Sequence, residues 1–418
     1  MQPNKIKFLK NSSGDVDIKI LKKYNNWDWR WYSMYNLWAF VRQSLIKIWL
    51  AAESVVFKVS GGKYPKALFC SRANPKHIGS KVKVLSENEY STDIAKVDEN
   101  GNITDEDFVI VSSTDFHIDE NHDLNYKTIY YFVKHLEKIK PDLVVLTGDI
   151  ILSKFQQIDA IQFAQMMEKI GVYWTIVFGN HEVREEKGFY KYLMMKSFSD
   201  YEHCLAKHGP KDLFGYGNYS VRIHGKNGKL RQALFMFDSG RDIREEYTEQ
   251  YGLPKDIQGY DFIKREQIDF YKNEIDSLKA KYGEFKSMAY MHIPIKEYEL
   301  AFKDNGNGVY EPTGECEILY GEMLESVGSS PYNSGLFDAF LEKGSTQAVF
   351  SGHDHVNDWC ARYKGIYLVY NQELCYNLYH YGERKDVPEK YWNHGVTVTR
   401  IKEDGSAEFS QSKNGIFM

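Results

Sequence analysis

The chain has 418 residues, of which 43% are hydrophobic and 27% are charged, values typical of a globular protein with a sizeable core. A net charge of -5 gives no basic footprint for nucleic acid at the level of the whole chain. Five scattered cysteines without a Cys-x-x-Cys pair argue against a disulfide framework and a thiolate zinc site, and they favour a reducing compartment.

Residues 1–105 are predicted to form an N-terminal extension to a larger domain. They contain no apolar run of signal-peptide length, and no run in the chain reaches about 18 apolar residues, so we expect a cytoplasmic protein. Residues 37–57 predict one long amphipathic helix, and residues 61–100 predict a small appendage with a short strand at 81–85. The broad apolar face of the helix suits packing on the main domain, or else peripheral contact with a membrane.

Residues 106–418 have a different pattern, in which short apolar strands alternate with helices. The first part of this domain reads strand, helix, strand, helix, strand, an order typical of a largely parallel sheet. These five elements are predicted at 108–112, 125–140, 142–146, 158–170 and 172–178.

The second part of this domain is predicted to contain a hairpin, more helices and several closing strands. Residues 296–334 are rich in glycine and acidic residues, and they are predicted to form a lid or a surface insertion. Helices are predicted at 189–207, 261–282 and 335–343, and strands at 219–223, 230–237, 286–291, 347–350, 366–370, 395–401 and 407–410.

Five of the predicted strands are followed at once by short pieces that contain Asp, Asn or His. In sheets of this type ligands bind beyond the carboxyl ends of the strands, so these side chains are expected to meet in one site. Their oxygen and nitrogen donors suit manganese, iron and zinc. One such piece alone is an ordinary turn, whereas five in one domain predict a metal centre. The pieces are Asp115-Phe-His117, Gly148-Asp149, Gly179-Asn180-His181-Glu182, His292 and Gly352-His353-Asp354-His355.

The chemistry of such a centre assigns a role to several of these residues. Two neighbouring cations repel each other, and Asp149 is the natural carboxylate to lie between them, with Asp115 and the imidazoles completing the ligands. Two metals hold a phosphate and activate water to attack phosphorus. His181, next to Asn180, is expected to stabilise the developing charge or to protonate the leaving oxygen. Glu182 is expected to orient His181.

The order of these pieces resembles the calcineurin-like metallophosphoesterase superfamily over residues 108–401. The resemblance implies an α/β fold in which a sandwich of two β-sheets is flanked by helices, and it implies that His181 is the catalytic histidine that binds no metal. It also implies two sets of metal ligands, which share one aspartate. The sets are Asp115, His117, Asp149 and His355 for one metal, and Asp149, Asn180, His292 and His353 for the other.

A closer resemblance points to the branch of the purple acid phosphatases. Residues 237–240, 259–271 and 292–294 are similar to segments of that branch. Purple enzymes have a tyrosine ligand three residues after the bridging aspartate, where this chain has Leu152, so the resemblance implies no tyrosinate colour. Glu182 also stands where many members of the family have aspartate.

The sequence therefore predicts a metal-dependent phosphoesterase that hydrolyses phosphate monoesters in a small molecule or a phosphoprotein, with two manganese, iron or zinc ions. Two alternatives stay open. One is a phosphodiesterase or nuclease with the same metal centre, although the acidic chain favours no nucleic-acid partner. The other is a metal-free scaffold of the same fold that binds a protein.

Overall fold

The computed structural model of the protein describes residues 28–60, 68–182, 191–306, 308–378 and 394–417. The helices are α1 (Asp28–Val59), α2 (Phe69–Arg72), α3 (His122–Ile139), α4 (Gln156–Ile170), α5 (Lys191–Ser199), α6 (Glu245–Gln250), α7 (Arg265–Tyr282) and α8 (Leu336–Lys343). The strands are β1 (Val82–Glu87), β2 (Ser91–Lys96), β3 (Phe108–Ser113), β4 (Leu143–Leu146), β5 (Tyr173–Ile176), β6 (Tyr219–His224), β7 (Leu230–Met236), β8 (Lys286–Tyr290), β9 (Phe302–Asp304), β10 (Tyr310–Pro312), β11 (Glu317–Tyr320), β12 (Thr346–Ser351), β13 (Cys360–Tyr363), β14 (Ile366–Tyr370), β15 (Gly395–Ile401) and β16 (Ala407–Lys413).

Two large sheets contain most of these strands. The five-stranded sheet has the order β16-β15-β3-β4-β5, in which β3, β4 and β5 are parallel. The nine-stranded sheet has the order β1-β2-β6-β7-β8-β12-β14-β13-β11, in which β7, β8, β12 and β14 are parallel. The predicted alternation of strands and helices therefore forms a parallel sheet, as expected. The remaining pair, β9 and β10, forms a small hairpin.

The two large sheets pack face to face and are flanked by helices. Tyr219 of β6 donates a hydrogen bond to the carbonyl of Ile176 in β5 at 2.6 Å, which joins one sheet to the other. Because side chains alternate along a strand, Tyr290 of β8 joins the core shared with the five-stranded sheet, while Ala289 joins the core beneath α7 and α8. On the other side, Phe163 of α4 contacts the ring of Trp174 in β5. This arrangement confirms the predicted α/β fold of four layers.

The region before β3 differs from its prediction in one respect. Residues 61–100 were expected to form a small appendage, which is wrong for β1 and β2, because β2 pairs with β6 in the parallel sense and extends the nine-stranded sheet. The polar residue Asp93 hides β2 in the sequence, and its burial is compensated by hydrogen bonds with Ser86 and His224. That residues 1–105 form an extension separate from the larger domain stays a prediction.

Two further predictions concern long segments. The insertion at 296–334 contains β9, β10 and β11, and β11 pairs with β13 at the edge of the nine-stranded sheet, while its role as a lid stays a prediction. The helix predicted at 189–207 is present as α5 over 191–199, the prediction is wrong for 200–207, which form turns and irregular structure, and residues 183–190 lie outside the described residues. In the part of the chain that the structure describes, no helix is long and apolar enough to cross a membrane.

Candidate metal centre

The seven predicted metal ligands and His181 come together at one edge of the sandwich. Each of them follows the carboxyl end of a strand by a few residues, and the strands belong to both sheets. Asp115 and His117 follow β3, Asp149 follows β4, Asn180 and His181 follow β5, His292 follows β8, and His353 and His355 follow β12.

The loops that carry these residues have an unusual backbone. Asp115, His117, Asp149 and His353 have φ values of +53°, +47°, +53° and +80°, in the left-handed region that non-glycine residues seldom adopt. Such conformations cost about 1–3 kcal/mol each and persist where the surrounding structure holds them. Their concentration in four ligand positions marks this edge as a functional site.

The glycines of the ligand motifs are required because the loops approach each other closely. A Cβ atom added to Gly179 would lie 2.0 Å from Oδ1 of Asp149, and one added to Gly352 would lie 2.0 Å from Oγ1 of Thr114. Both distances are far shorter than any van der Waals contact. The Gly-Asn-His and Gly-x-His patterns are therefore explained by the space that the neighbouring ligand loops occupy.

The first group of ligand atoms consists of Asp115, His117 and His355. Nε2 of His117 lies 3.0 Å from Nε2 of His355 and 3.3 Å from Oδ1 of Asp115. Nε2 of His355 lies 3.5 Å from the same oxygen. All three side chains are buried, so two imidazoles and a carboxylate face one point inside the protein.

The second group consists of Asp149, His292 and His353, and Asn180 lies beside it. Nε2 of His292 is 3.2 Å from Oδ2 of Asp149 and 2.9 Å from Oδ1 of Asn180. The ring centroids of His292 and His353 are 5.1 Å apart. This group repeats the chemistry of the first, with an amide oxygen added.

Asp149 connects the two groups. Its Oδ2 atom is 3.2 Å from Nε2 of His292 in the second group and 3.7 Å from Nε2 of His117 in the first. Its Oδ1 atom accepts the backbone N–H of His181 at 2.8 Å, which fixes the rotation of the carboxylate. Asp149 therefore lies between the groups, where a ligand shared by two cations has to lie.

The electrostatics of the site favour cations. Burial alone would lower the pKa of His292, but the carboxylates of Asp149 and Asp115 raise it to about 9. Burial, followed by the charge of His292, lowers the pKa of His353 to about 3, so His353 is a neutral imidazole with a lone pair to donate. The negative potential of the carboxylates that holds the proton on His292 also attracts a metal cation, and an ion that binds His292 has to displace that proton.

Hydrogen bonds outside the ligand groups orient the donor atoms. Nδ1 of His292 lies 2.8 Å from the carbonyl of Thr147 and donates to it, which leaves Nε2 free to face the site. Oδ2 of Asp115 accepts from Oγ1 of Thr114 at 2.7 Å and from the N–H of His353 at 2.9 Å. Its other oxygen, Oδ1, is therefore the one that faces His117 and His355.

Glu373 lies behind one of the predicted ligands, and the sequence reasoning missed it. Its Oε2 atom lies 3.4 Å from Nδ1 of His355, and its Oε1 atom lies 3.4 Å from Nδ1 of His394. All three side chains are almost fully buried. A carboxylate behind a metal-binding imidazole orients the ring and raises its basicity. The signal was present in the sequence, since Glu373 also follows a predicted strand, 366–370.

We expect Glu373→Gln to weaken metal binding at the first group by about 10- to 100-fold and to leave the second group loaded. The reason is that the amide no longer attracts the proton on Nδ1 of His355. Metal content after dialysis against graded chelator concentrations measures the effect. The control is Glu274→Gln, which changes another buried carboxylate, paired with Arg222. Equal metal retention in the two variants would show that Glu373 does not position His355.

The expected role of Glu182 is wrong. Its carboxylate does not orient the His181 ring but is buried and holds the backbone of two ligand loops together. Although the two residues are neighbours in sequence, the carboxylate reaches the loop that carries Asp149. It accepts the N–H groups of Asp149 at 2.9 Å, Ile150 at 2.5 Å, Ile151 at 3.1 Å and Gly179 at 2.6 Å.

Glu182→Ala is expected to lower the free energy of unfolding by about 3 kcal/mol or more, because each buried N–H without an acceptor costs about 1–3 kcal/mol. Urea unfolding in the presence of a chelator measures this apart from metal binding. The control is Glu168→Ala, whose carboxylate is 30% exposed and pairs with His203, and it should cost less than about 1 kcal/mol. Similar losses in both variants would refute the bracing role.

His181 lies at the rim of the cluster. Its Nε2 atom is 3.8 Å from Oδ2 of Asp149, and its side chain is 28% exposed, whereas Asp149 is 2% exposed. Tyr260, which the sequence reasoning did not select as a site residue, is at another part of the rim, where its ring stands edge-on to His353 with 4.2 Å between centroids. Solvent therefore reaches the edge of the site at these two side chains.

Asp354, which lies between two ligand histidines, turns away from the ligand groups. Its Oδ2 atom accepts from the hydroxyl of Tyr370 at 2.5 Å, and both of its oxygens accept from the N–H of Gly328. Since Gly328 belongs to the segment 296–334, Asp354 fastens that segment beside the metal centre.

Three comparisons place this geometry among known proteins. Residues 108–357 match the family model of the calcineurin-like phosphoesterases. The chain is 30% identical over 280 residues to a protein of Arabidopsis thaliana named probable inactive purple acid phosphatase 14, a match that covers 62% of this chain and 64% of that one. It is 32% identical over 247 residues to phosphatase DCR2 of Saccharomyces cerevisiae, a match that covers 56% of this chain and 39% of that one. The chain thus spans less than two thirds of the length of these relatives. A solved dimetal phosphatase from Danio rerio is 13% identical with a TM-score of 0.45, covering 74% of this chain and 97% of its own.

Proposed function

Because the chain belongs to the calcineurin-like phosphoesterases, we propose that it is an active phosphatase that hydrolyses phosphate monoesters at a dinuclear metal centre. Membership of the family accounts for the class of reaction, which is hydrolysis of a phosphoester bond. The proposal adds the dinuclear centre, the preference for monoesters and the activity of this particular chain. Three relatives are named probable inactive purple acid phosphatases and another is named a phosphatase, so the proposed activity rests on the residues that this chain carries.

The observation that carries the proposal is the position of Asp149 between two complete groups of ligands. Asp115, His117 and His355 would hold one ion, and Asn180, His292 and His353 would hold the other, with Asp149 shared. Two such ions, when bound, polarise the phosphoryl group and activate water. A protein without metal would have little reason to bury two carboxylates and four imidazoles in contact. We propose manganese, iron or zinc, which this donor set accepts.

His181 has the position expected of a residue that contacts the substrate without binding a metal. The side chain of His181 is 28% exposed, whereas those of Asp149 and His117 are 2% and 0% exposed. Its backbone N–H is bound to Asp149, so its ring is carried by the same loop that is fixed to the shared ligand. From this rim the imidazole would donate a proton to the leaving oxygen or stabilise the charge on the phosphoryl group.

The substrate is proposed to be a phosphorylated small molecule or a phosphoprotein. Tyr260 at the rim would contact the group that carries the phosphate, because its ring is partly exposed beside His353. The acidic balance of the chain gives no support to a nucleic-acid substrate. A phosphodiesterase and a metal-free scaffold remain the competing functions that the first experiment separates.

The experiment is a paired hydrolysis assay with p-nitrophenyl phosphate and bis(p-nitrophenyl) phosphate, with and without added manganese, alongside a measurement of bound metal. We expect metal-dependent turnover of the monoester and slower turnover of the diester. Faster turnover of the diester would replace the phosphatase with a phosphodiesterase. Absence of bound metal together with absence of turnover would favour the scaffold.

A further inference from the structure

Helix α1 contacts the rest of the protein through one of its sides. Leu50 is buried and packs with Leu68 and with Ile161 of α4. The side chain of Gln43 donates a hydrogen bond to Asp200, just after α5, at 2.8 Å. These contacts fix which side of the helix faces inwards in the described part of α1 from residue 40 onwards.

The opposite side of α1 is apolar and open to solvent. Its residues recur at intervals of three and four, so they lie in one stripe along the helix. Each of them is between 42% and 84% exposed. A contiguous exposed apolar patch on a single protein usually marks an interaction site. The exposed stripe of α1 consists of Val41, Leu45, Ile48, Trp49, Val55, Val56 and Val59.

The charge of the chain is divided unevenly along the sequence, and the segment that contains α1 is basic. Residues 1–60 contain ten basic and four acidic residues, a net charge of +6, while the other 358 residues carry -11. An apolar helix face in a basic segment complements an anionic membrane, which offers hydrocarbon beneath negative headgroups. Trp49 in the stripe has the amphipathic ring that is enriched at the boundary between headgroups and hydrocarbon.

A second copy of the chain suits the stripe less well. In a two-fold dimer the same patch faces itself, which would bring two segments of charge +6 together. Coiled coils also place charged residues beside the apolar seam, whereas Trp49 and Val56 widen the seam of this helix with apolar surface. A broad apolar face in a basic segment is better matched to lipid.

From the contacts on one side, the exposed stripe on the other and the basic composition of residues 1–60, we propose that α1 docks the protein on an anionic phospholipid surface. The helix lies in the plane of the surface, with the stripe inserted among the acyl chains and the inward side still bound to α4. This inference is independent of the phosphatase activity, because none of its residues belongs to the metal centre.

The test is co-sedimentation of the full chain with vesicles of phosphatidylcholine and phosphatidylserine, compared with phosphatidylcholine alone. We expect binding to the anionic vesicles that weakens at high salt, and weaker binding to the neutral ones. Ile48→Glu together with Val55→Glu should lower the association constant by about 100-fold or more, because two aliphatic side chains no longer enter the hydrocarbon and two negative charges face an anionic surface.

The matched control is Leu85→Glu together with Ile416→Glu, which adds the same charges at exposed apolar positions outside α1 and outside the segment 296–334, 40% and 49% exposed. It should bind vesicles like the unmodified protein, and all proteins should keep the same hydrolysis rate in solution. Two results would overturn the proposal, namely no binding to anionic vesicles and equal loss of binding in both double variants. In the first case, a dimer in solution that the α1 variant dissociates would make a second copy of the chain the partner of the stripe.

Discussion

Asp149→Asn is expected to reduce the bound metal from two ions to at most one and to lower kcat/KM by more than the ~10²–10³ that loss of a single stabilising donor costs. The amide keeps one oxygen as an acceptor but loses the negative charge, and its NH₂ group repels a cation on the other side. Because Asp149 lies near both His117 and His292, one substitution should disturb both groups of ligands. Metal content and steady-state kinetics on the monoester measure the two effects.

The control for this variant is Asp142→Asn, at the opposite end of the same strand. Asp142 is also a buried carboxylate, and it binds Lys96 at 2.9 Å and the N–H of Val109 at 2.8 Å. Its substitution should lower the stability of the fold but leave two metals and the turnover per folded molecule unchanged. If Asp149→Asn kept both metals, Asp149 would not be the ligand that they share, whatever happened to the rate.

The sequence predicted most of this site because of the way parallel sheets are built. Strands buried on both faces appear as continuous apolar runs, as in β3 and β4, and the ligand positions follow directly from their ends. The distance between β8 and β12 along the chain hides the fact that they are neighbours in the sheet. Because ligands in such sheets bind beyond the carboxyl ends of the strands, the meeting of their ligand residues could be predicted without knowing the topology. The positions of Asp115 and His355 could be predicted from the ends of the apolar strands before them.

What the sequence did not predict depends on contacts between distant segments. Glu182 follows His181 directly, yet its carboxylate is used by the backbone of another loop, and no local pattern reports such a contact. Glu373 lies between His355 and His394, which are 39 residues apart in the chain, and only the structure shows that the three side chains meet. The polar strand β2 was read as part of an appendage because the partners that compensate its buried Asp93 come from other strands.

The sequence also does not show which apolar side of α1 is packed against the main domain. An apolar face at helical spacing predicts burial, and the sequence alone does not say whether protein or another apolar medium covers it. In the structure Leu50 is buried and Ile48 is 66% exposed, two residues apart. Only the positions of Gln43 and Leu50 against the main domain separate the inner side from the exposed stripe.

His181→Ala is expected to keep both metals and to lower kcat by about 10²–10⁴, the range for loss of one positioned acid or charge stabiliser. The ring of His181 is outside both groups of ligand atoms, and its backbone N–H, which holds Asp149, is unchanged by the substitution. The control is His203→Ala, a histidine of comparable exposure, 21%, which pairs with Glu168 outside the site. It should leave the rate and the metal content unaltered.

The leaving group decides which role His181 has. An alkyl phosphate must receive a proton as its bond to phosphorus breaks, whereas nitrophenolate departs without one. If His181 is the general acid, its substitution should slow the alkyl ester much more than the nitrophenyl ester, because only the first depends on the proton from Nε2. If both esters are slowed equally, His181 stabilises charge on the phosphoryl group instead. Loss of metal from His181→Ala would contradict both roles, since it would make this histidine a ligand of the centre.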